Sequence, residues 1–434
     1  MHHVVREWEH IKLDRGGLTR VQGDALLAEA RSHPLAHDEA VNILIDRRDS
    51  LVARQMVGMV ATKGCSLEIL PKVDPDENAG KDVAAVRNQL VRMLDVALGL
   101  KLDLGRSSEI DRQKHTLLEI LIRAFADKLL DEVRRGLPRQ YVQCEDDLPA
   151  LRGRMDVTRQ FTRNAIRPDK LACRFDQMEA DTPLMRIMHA TVVYLGRYAQ
   201  QINTRRKLDE LRFVLADIPL VSAGRLPWKQ VQIDRTNRRW ESLFRLANLL
   251  MQRDWQATHY STKAPEGLTL LFPMNDLFEK YIAALLRKAL INSGVEVIDQ
   301  GGYLTCLGTF TGKHLYSGNT FRTKPDLILR RDGKMIAIID TKWKRLGRNL
   351  VGPTDGVSQS DVYQLMAYAR LYPTSDLMLL YPAIPGAPAG EQREFGIVGG
   401  SERLSISTVD TSCDEDSVIA QLKRLVSVFA HQCR

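Results

Sequence analysis

The sequence predicts a mixed α/β protein with three regions, and one observation supports each region. Residues 1–105 contain short β-branched and apolar runs separated by Gly, Asp and Pro, which is typical of strands and turns with interspersed helix. Residues 106–262 carry apolar positions at helical spacing, so we predict a helical middle region. Residues 263–434 alternate helical patterns with short apolar strands, and this order indicates an α/β domain.

The first two regions contain the longest helical patterns. The segment "VAAVRNQLVRMLDVALGL" has apolar residues at helical spacing and a Gly near its end. Leu117 to Val133 keep an apolar stripe, and the two arginines, the Gly and the Pro that follow predict the end of a helix. Two more helices are predicted within "TPLMRIMHATVVYLGRYAQQI" and "RRWESLFRLANLLMQRDW".

The last region follows a predicted boundary at Ala264–Gly267. In chain order we predict a helix from Asp276 to Leu290, strands in "VEVIDQ" and "GYLTCLG", a hairpin in "TKPDLILRRDGKMIAIIDTKWKRL", a helix around "SDVYQLMAYARLY" and a buried strand in "DLMLLYP".

Composition narrows the class of protein without naming a function. The 434 residues carry a formal net charge of +8, which suits a polyanionic partner such as nucleic acid but does not single one out. The sequence shows neither a signal-peptide core nor about 18 consecutive apolar residues, so we expect a cytoplasmic protein without a membrane span. The cysteines form no cluster typical of zinc sites.

The predicted hairpin carries charges where apolar residues are expected. Asp326 opens its first run and Asp340 closes the second, and Lys342 shares a strand face with Asp340. A two-residue turn at Asp332 and Gly333 would put the two acids on opposite faces of the hairpin. A three-residue loop, or a bulge of equivalent parity, would bring them to the same face. If the acids cooperate, we predict the loop or the bulge.

Two carboxylates on one face suggest a metal site. At a separation of about 4 Å they repel by roughly 4 kcal/mol at an effective dielectric constant near 20, and a divalent cation removes this repulsion. Oxygen ligands alone favour Mg²⁺, or Mn²⁺, over zinc. With Lys342 to orient water and stabilise negative charge, Asp326 and Asp340 would form a phosphodiesterase site.

Three further residues support this interpretation, since a D-x-K pattern by itself is common on strands. Gln364 and Tyr368 are spaced i, i+4, so both extend from one face of a predicted helix. Glu279 lies on the flank of an apolar stripe in an upstream helix. It is either a third acid of the metal site or a solvent-facing helix residue.

The order of these motifs resembles the PD-(D/E)xK nuclease superfamily in its RecB-like form. The resemblance implies a restriction-endonuclease-like domain over residues 263–434, with Asp326 and Asp340 as metal-binding acids and Lys342 as the catalytic lysine. It further implies that the Q-x-x-x-Y pair, Gln364 and Tyr368, is the accessory motif and that Glu279 is the helical acid. The second acid is Asp rather than Glu, which the superfamily accommodates.

Seven segments also occur in an order similar to that of the McrC family: "SLEILPKV", "LRGRMDV", "FDQMEADTPLMRIM", "NDLFEKYI", "KPDLILR", "IIDTKWK" and "SDVYQLMAYAR". McrC-type subunits bind a hexameric AAA+ GTPase of the McrB type, which recognises methylated cytosine. They stimulate its GTP hydrolysis through their N-terminal region and cut double-stranded DNA. The resemblance therefore implies that residues 1–105 bind the partner. The chain contains no G-x-x-x-x-G-K-[ST] loop, so nucleotide hydrolysis is expected from the partner.

Three interpretations remain at this point. The chain is either such a subunit or a stand-alone RecB-like nuclease in repair or defence. The third possibility is a non-catalytic adaptor that binds DNA or an ATPase. The intact Asp326, Asp340, Lys342 and Gln364 argue against the adaptor, because a degenerate site is expected to lose at least one of them.

Overall fold

The protein is described by a computed structural model for the residues 2–14, 18–31, 33, 43–62, 64–72, 83–102, 115–252, 268–311, 314–317, 322–344, 346, 357–384 and 389–430. The chain forms two compact units. The first comprises Met1–Lys101, Ser108–Leu117 and Glu266–Arg434, and the second comprises Leu102–Ser107 and Leu118–Pro265.

The strands in chain order are β1 (His2–Arg6), β2 (His10–Lys12), β3 (Leu44–Arg47), β4 (Ser50–Ala53), β5 (Met56–Thr62), β6 (Cys65–Leu70), β7 (Gln140–Leu148), β8 (Arg154–Met155), β9 (Leu171–Glu179), β10 (Leu268–Pro273), β11 (Val295–Asp299), β12 (Gly308–Thr311), β13 (His314–Ser317), β14 (Leu327–Arg331), β15 (Lys334–Thr341), β16 (Asp376–Pro382), β17 (Gly390–Gly396) and β18 (Arg403–Val409). The α-helices are α1 (Arg20–Arg31), α2 (Val83–Leu98), α3 (Leu117–Arg134), α4 (Val157–Thr162), α5 (Pro183–Leu195), α6 (Ile202–Val214), α7 (Glu241–Gln252), α8 (Met274–Ala289), α9 (Gln359–Leu371) and α10 (Glu415–Ala430). The predicted mixed α/β class is confirmed.

Strand β10 joins the beginning of the chain to its last third. It pairs antiparallel with β5 in a sheet of order β1-β6-β5-β10. Gly58 of β5 has a φ of 129°, and a Cβ atom there would lie 2.0 Å from the carbonyl oxygen of Leu270 in β10. Only glycine tolerates both that backbone conformation and so close an approach.

This pairing changes the predicted domain organisation. The regions 1–105 and 263–434, which we predicted as separate, contribute strands to one sheet and belong largely to one compact unit. Local patterns indicate that a segment is a strand but not which distant strand it pairs with, so the shared sheet is absent from the prediction. The predicted boundaries at 105/106 and 262/263, and the one at Ala264–Gly267, lie outside the described residues.

Helix α1 and the β10-containing sheet share a hydrophobic core. Leu26 and Leu27 of α1 are buried together with Leu67 and Ile69 of β6 and with Leu271 of β10. The core explains why short strands with few polar residues fold together, because each contributes apolar side chains to the same interior.

A buried ion pair attaches α2 to β6. The Arg87 guanidinium donates hydrogen bonds of 2.5 and 3.1 Å to the two carboxylate oxygens of Glu68, which is fully buried. His2 of β1 lies 3.2 Å from the same carboxylate. Burial by itself raises the pKa of Glu68, but the hydrogen bonds from His2 and Arg87 outweigh it, so the pKa is lowered.

The first unit also contains a six-stranded sheet of order β11-β14-β15-β16-β18-β17. Strands β14 and β15 are an antiparallel hairpin, whereas β15, β16 and β18 run parallel. Helix α9 packs its Leu365 and Tyr368 against Ile338 of β15 and against Leu377 and Leu379 of β16. This contact fixes α9 over the strands that carry the predicted site.

Most predicted elements of the last region appear near the expected positions. Helix α8 covers nearly all of the predicted Asp276–Leu290 helix, and β16 matches "DLMLLYP" residue for residue. The strand predicted in "GYLTCLG" is wrong. In that segment the structure has an isolated bridge between Thr305 and Arg322, and β12 begins only at Gly308.

The second unit contains the predicted helices and a sheet that we did not predict. Helices α3, α5 and α7 correspond to the predicted helical segments, whereas α6 is a further helix of this region that we did not predict as a segment of its own. Strands β7, β9 and β8 form a three-stranded antiparallel sheet. The sequence of β7, "QYVQCEDDL", has no apolar alternation, so the periodicity that signals a strand is missing. No helix among the described residues is long and apolar enough to cross a membrane.

Candidate active site

The turn between β14 and β15 contains two residues. Asp332 and Gly333 have φ values of 49° and 78°, and the flanking residues Arg331 and Lys334 pair across the hairpin. Two consecutive positive φ values are typical of a type I′ turn, for which Asp-Gly is a favoured sequence. The predicted three-residue loop is therefore wrong.

A bulge in β15 restores the predicted parity. Ile336 is an extra residue on this strand, because the pairing register shifts by one at this position. Beyond the bulge Leu327 pairs with Ile339, and Asp326 and Asp340 are the next residues along the two strands. The predicted bulge is confirmed, and the two acids lie opposite each other on the same face of the hairpin.

Asp326 is held by its neighbours at the entrance to β14. Its Oδ2 accepts hydrogen bonds from the backbone N–H of Thr341, at 2.8 Å, and from the Thr341 hydroxyl, at 2.9 Å. Its carbonyl oxygen accepts a 2.8 Å bond from the Gln300 N–H. Burial raises the pKa of Asp326 more than the Thr341 bonds and the Lys342 charge lower it.

Asp340 is fully buried at the end of β15. Burial, and after it the negative charge of Asp326, raises its pKa to about 7, against the opposing effect of Lys342. Its Oδ1 has no hydrogen-bond partner among the described residues. A buried carboxylate oxygen without a partner is costly, so this atom is a candidate ligand for a cation.

A chain of polar contacts links Asp340 to α9. Lys342 forms an ion pair with Asp340 Oδ2, and its Nζ donates a 3.2 Å bond to Gln364 Oε1. The Gln364 amide donates a 2.6 Å bond to the Tyr368 hydroxyl, which in turn donates to the Lys324 carbonyl oxygen at 3.2 Å. Burial lowers the pKa of Lys342, but the nearby carboxylates outweigh it and keep the ammonium charged. Four of the predicted residues therefore contact one another in series, in the order Asp340, Lys342, Gln364 and Tyr368.

Glu279 lies on the buried side of α8. Burial, then the negative charge of Asp326, raises its pKa to about 7, and a hydrogen bond with Gln300 opposes the rise. Its Oε1 has no hydrogen-bond partner within the described part of the chain. The alternative that Glu279 faces solvent is therefore wrong, and its role as a ligand stays a prediction.

The structure does not assemble a complete protein cage for a metal. Within the described ranges no three His, Cys, Asp or Glu side chains converge closely enough to hold an ion by themselves. What the residues provide is a pair of facing acids, Asp326 and Asp340, with Lys342 beside one of them and Glu279 near the other. This arrangement suits an ion that takes part of its ligands from water and substrate.

Sequence reasoning missed residues that support these groups. Thr341 lies inside the D-x-K motif, and its position between the two charged residues was the available signal. Glu7 gives no local signal. Its Oε2 accepts 3.2 Å bonds from the indole Nε1 of Trp343 and from the backbone N–H of Lys72. The contact arises only because residues of the first unit that are distant in sequence fold together.

Two solved structures share this fold. A chain in the refined half-complex from the tetradecameric assembly of Thermococcus gammatolerans McrB AAA+ hexamers with bound McrC aligns with a TM-score of 0.75 and 20% identity, over 99% of this chain and 100% of that chain. A chain in the cryo-EM structure of the Thermococcus gammatolerans McrBC complex aligns with a TM-score of 0.53 and 23% identity, over 67% of this chain and 88% of that chain. The TM-scores establish similarity of fold, and at these identities they establish the fold alone.

The family comparison rests on the sequence itself. A comparison with curated proteins found no match. The family model described as "McrBC 5-methylcytosine restriction system component" matches residues 51–382, which is more than half of the chain. The resemblance to the McrC family drawn from seven short segments is confirmed, and the chain belongs to the McrBC 5-methylcytosine restriction system component family.

Proposed function

We propose that this chain is the Mg²⁺-dependent DNA endonuclease subunit of an McrBC-like restriction complex, which cleaves methylcytosine-containing foreign double-stranded DNA. The supporting observation is the linked group at the β14–β15 hairpin. Asp326 and Asp340 face each other, and Lys342 connects Asp340 to Gln364 of α9. In this proposal the hairpin and α9 are the core of a PD-(D/E)xK nuclease domain.

The residues fit a magnesium ion. Mg²⁺ is commonly held by one or two carboxylates, with water and substrate phosphate completing its ligands. Asp326 and Asp340 would hold it, since Asp340 Oδ1 lacks a hydrogen-bond partner among the described residues and the Asp326 charge raises the pKa of Asp340. Glu279 would be the third acid, near Asp326. A bound Mg²⁺ would supply Lewis acidity for phosphodiester hydrolysis, and Mn²⁺ accepts the same oxygen ligands.

The other side chains position the reacting groups. Lys342 keeps its charge and is fixed from two sides, so it can stabilise negative charge that develops on the phosphate. Tyr368 anchors Gln364 to the backbone at Lys324, which limits the movement of the lysine partner. Thr341 orients the carboxylate of Asp326 through two hydrogen bonds.

A plasmid-cleavage assay with a purified AAA+ partner tests the proposal. Cleavage of methylated plasmid should require Mg²⁺, the partner and GTP. Asp340→Asn and Lys342→Met should abolish cleavage while leaving partner binding and GTPase stimulation intact. Asp332→Asn at the exposed turn is the matched control and should cleave normally, because Asn also tolerates the positive φ at this position. Cleavage by Asp340→Asn at the normal rate would reject the proposed site.

The stand-alone nuclease is the second candidate, and the same assay separates it from the first. Cleavage of unmethylated plasmid by this chain with Mg²⁺ alone would favour a nuclease that needs no partner. Partner binding and GTPase stimulation without cleavage under any condition would favour the non-catalytic adaptor.

The partner contact is proposed to lie in the second unit. The half-complex that shares this fold contains McrB AAA+ hexamers with bound McrC. We expected partner binding in residues 1–105, but the large exposed apolar side chains favour the sheet β7-β9-β8 and its neighbours. Tyr141, Phe161 and Ile166 are 72%, 73% and 89% exposed. Exposed apolar patches commonly mark protein–protein interaction sites, and Phe161 and Ile166 both lie near the start of β9, where Gln160 hydrogen-bonds to Lys170 and Ala172.

Charge substitutions test this surface. Phe161→Asp combined with Ile166→Asp should abolish co-purification with the AAA+ partner and GTPase stimulation, because a charge cannot be buried in an apolar interface. Phe213→Asp is the matched control, because Phe213 is 83% exposed but lies on α6, away from the sheet β7-β9-β8 in sequence. Normal partner binding by the double variant would return the contact to residues 1–105.

A further inference from the structure

A pocket of about 490 Å³ lies beside the candidate active site, within the first unit. Its volume falls in the range of roughly 300–1,000 Å³ that is typical of small-molecule sites, and it is too small for a DNA duplex. Lys342, the lysine of the D-x-K motif, lines one side. A ligand in the pocket would therefore lie next to the reacting phosphodiester.

Besides Lys342, Met274 and the carboxylate of Glu7, the pocket is lined by three kinds of side chain. Two are indoles, two are further lysines and two are amides: Trp8, Trp343, Lys72, Lys344, Gln55 and Asn275. Indoles stack on the faces of nucleobases, amides hydrogen-bond to base edges and ammonium groups attract phosphate. The set matches the parts of a nucleotide.

The two indoles are held differently. Trp343 donates its Nε1–H to Glu7 and packs against Phe278 of α8 at a ring distance of 5.3 Å, so it is a rigid wall. Trp8 is 44% exposed, and the Arg54 guanidinium lies 5.0 Å from its ring. One indole is thus fixed inside the protein and the other is presented at the opening.

The backbone at the pocket is strained at two positions. Trp8 and Gln55 have φ values of 69° and 45°, which side chains other than Gly and Asn rarely adopt. The Trp8 N–H donates a 2.8 Å bond to the Ala53 carbonyl, and the Gln55 carbonyl accepts a 3.0 Å bond from the Met274 N–H. Strain retained by surrounding hydrogen bonds is concentrated at functional sites.

The geometry points to a nucleotide-binding pocket in which Trp8 and Trp343 receive an unstacked base of the DNA strand, next to the phosphodiester that is cut. The inference rests on the proposed nuclease function, because the shared residue Lys342 connects the pocket to the reacting phosphate. The base must leave the duplex stack to enter, as it does in proteins that extrude a nucleotide. Trp8 lies near the beginning of the chain and Trp343 in its last third, so the pocket forms only when these two regions fold together in the first unit.

Oligonucleotide binding in EDTA tests the pocket without cleavage. The probe is a short single-stranded oligonucleotide with a central 2-aminopurine, titrated into the full chain. Trp8→Asn removes the indole but keeps a residue that tolerates the positive φ, and it should weaken binding about tenfold. Trp8→Phe keeps an aromatic ring and should bind nearly as tightly as the unmodified protein. Phe395→Ala, an exposed aromatic on β17, is the control outside the pocket.

The outcomes separate the possible sources of the nucleotide. Strong change of the 2-aminopurine fluorescence with the unmodified protein, lost in Trp8→Asn and kept in Trp8→Phe, is the expected result. Equal affinity of Trp8→Asn and the unmodified protein, or no oligonucleotide binding by the unmodified protein, would overturn the inference. Competition by a free mononucleotide as effective as that by the oligonucleotide would assign the pocket to a free nucleotide and overturn the DNA-strand version.

Failure of the pocket and failure of the nuclease proposal are distinguishable. The binding assay in EDTA requires neither Mg²⁺ nor cleavage, so its result is independent of the result of the cleavage assay. If Asp340→Asn cleaves normally while Trp8→Asn loses binding, the nuclease site is wrong and the pocket stands.

Discussion

The carboxylate of Glu7 accepts a 3.2 Å hydrogen bond from the indole of Trp343, a residue that lies 336 positions further along the chain. The bond attaches the first strand region to the residue that directly follows the D-x-K lysine. The candidate active site is therefore bordered by both ends of the first unit. An N-terminal deletion is therefore expected to disturb the candidate active site.

Glu7→Gln should make the protein less sensitive to pH. Burial raises the pKa of Glu7 from 4.5 to about 7, so between these values the folded state holds more protons than the unfolded state. The free energy of unfolding then falls as pH rises through this window. Gln keeps the acceptor oxygen for Trp343 and Lys72 but carries no charge. We expect the variant to be on the order of 2 kcal/mol more stable than the unmodified protein near neutral to mildly alkaline pH.

Urea unfolding across the window measures this effect. The difference between Glu7→Gln and the unmodified protein should be small near the lower end, where Glu7 is protonated in both states. Parallel stability profiles for the two proteins from acid to alkaline pH would contradict the assignment of a raised pKa.

Gln364→Leu should slow cleavage without affecting the fold. The substitution removes the acceptor that holds Lys342 from the side of α9, and loss of comparable supporting bonds costs about 10- to 100-fold in activity. Tyr368→Phe removes only the hydroxyl that anchors Gln364, so its effect on the single-turnover rate should be smaller. A larger loss of cleavage rate in Tyr368→Phe than in Gln364→Leu would contradict the view that Tyr368 acts only by anchoring Gln364.

Gly58→Ala should destabilise the sheet shared by the two ends of the chain. The added methyl group would overlap the Leu270 carbonyl oxygen, and the positive φ adds strain of about 1–3 kcal/mol. Gly64→Ala is the matched control, because Gly64 also has a positive φ but no atom of the described residues lies within 4 Å of its added Cβ. The difference in melting temperature between the two variants measures the close approach of β10 to β5. Equal losses would mean that strain alone limits the position.

Arg87→Met should cost about 3–5 kcal/mol, because it leaves the buried carboxylate of Glu68 without its guanidinium partner. Arg87→Met combined with Glu68→Leu should recover most of this loss.

The pKa of Glu68 is lowered in the folded state, so the stability that the ion pair contributes is present above pH 4.5 and disappears as pH falls through the folded-state pKa. Thermal unfolding of the unmodified protein and the two variants at several pH values measures both the loss and its pH dependence. An undiminished penalty in strong acid would contradict the predicted pH dependence.

Local patterns predicted much of the last region. Apolar periodicity located α8, α9 and β16, because each is long enough to show its period and is buried on a defined face. The same reasoning failed for β7, whose nine residues are largely polar. The hairpin turn was uncertain for a different reason. An Asp-Gly pair suits more than one loop length, and the extra residue at Ile336 has no signature of its own.

The sequence by itself determined the α/β class, the family and the acids, lysine and amide of the candidate site, since these depend on residue types at short spacing. Only the tertiary structure decided that Asp326 and Asp340 face each other, that Glu279 is buried and that Glu7 and Trp8 border the site. Those relationships depend on register and on contacts between residues hundreds of positions apart. Neither is encoded in a local period, because the same strand pattern can pair with any strand that buries its apolar face.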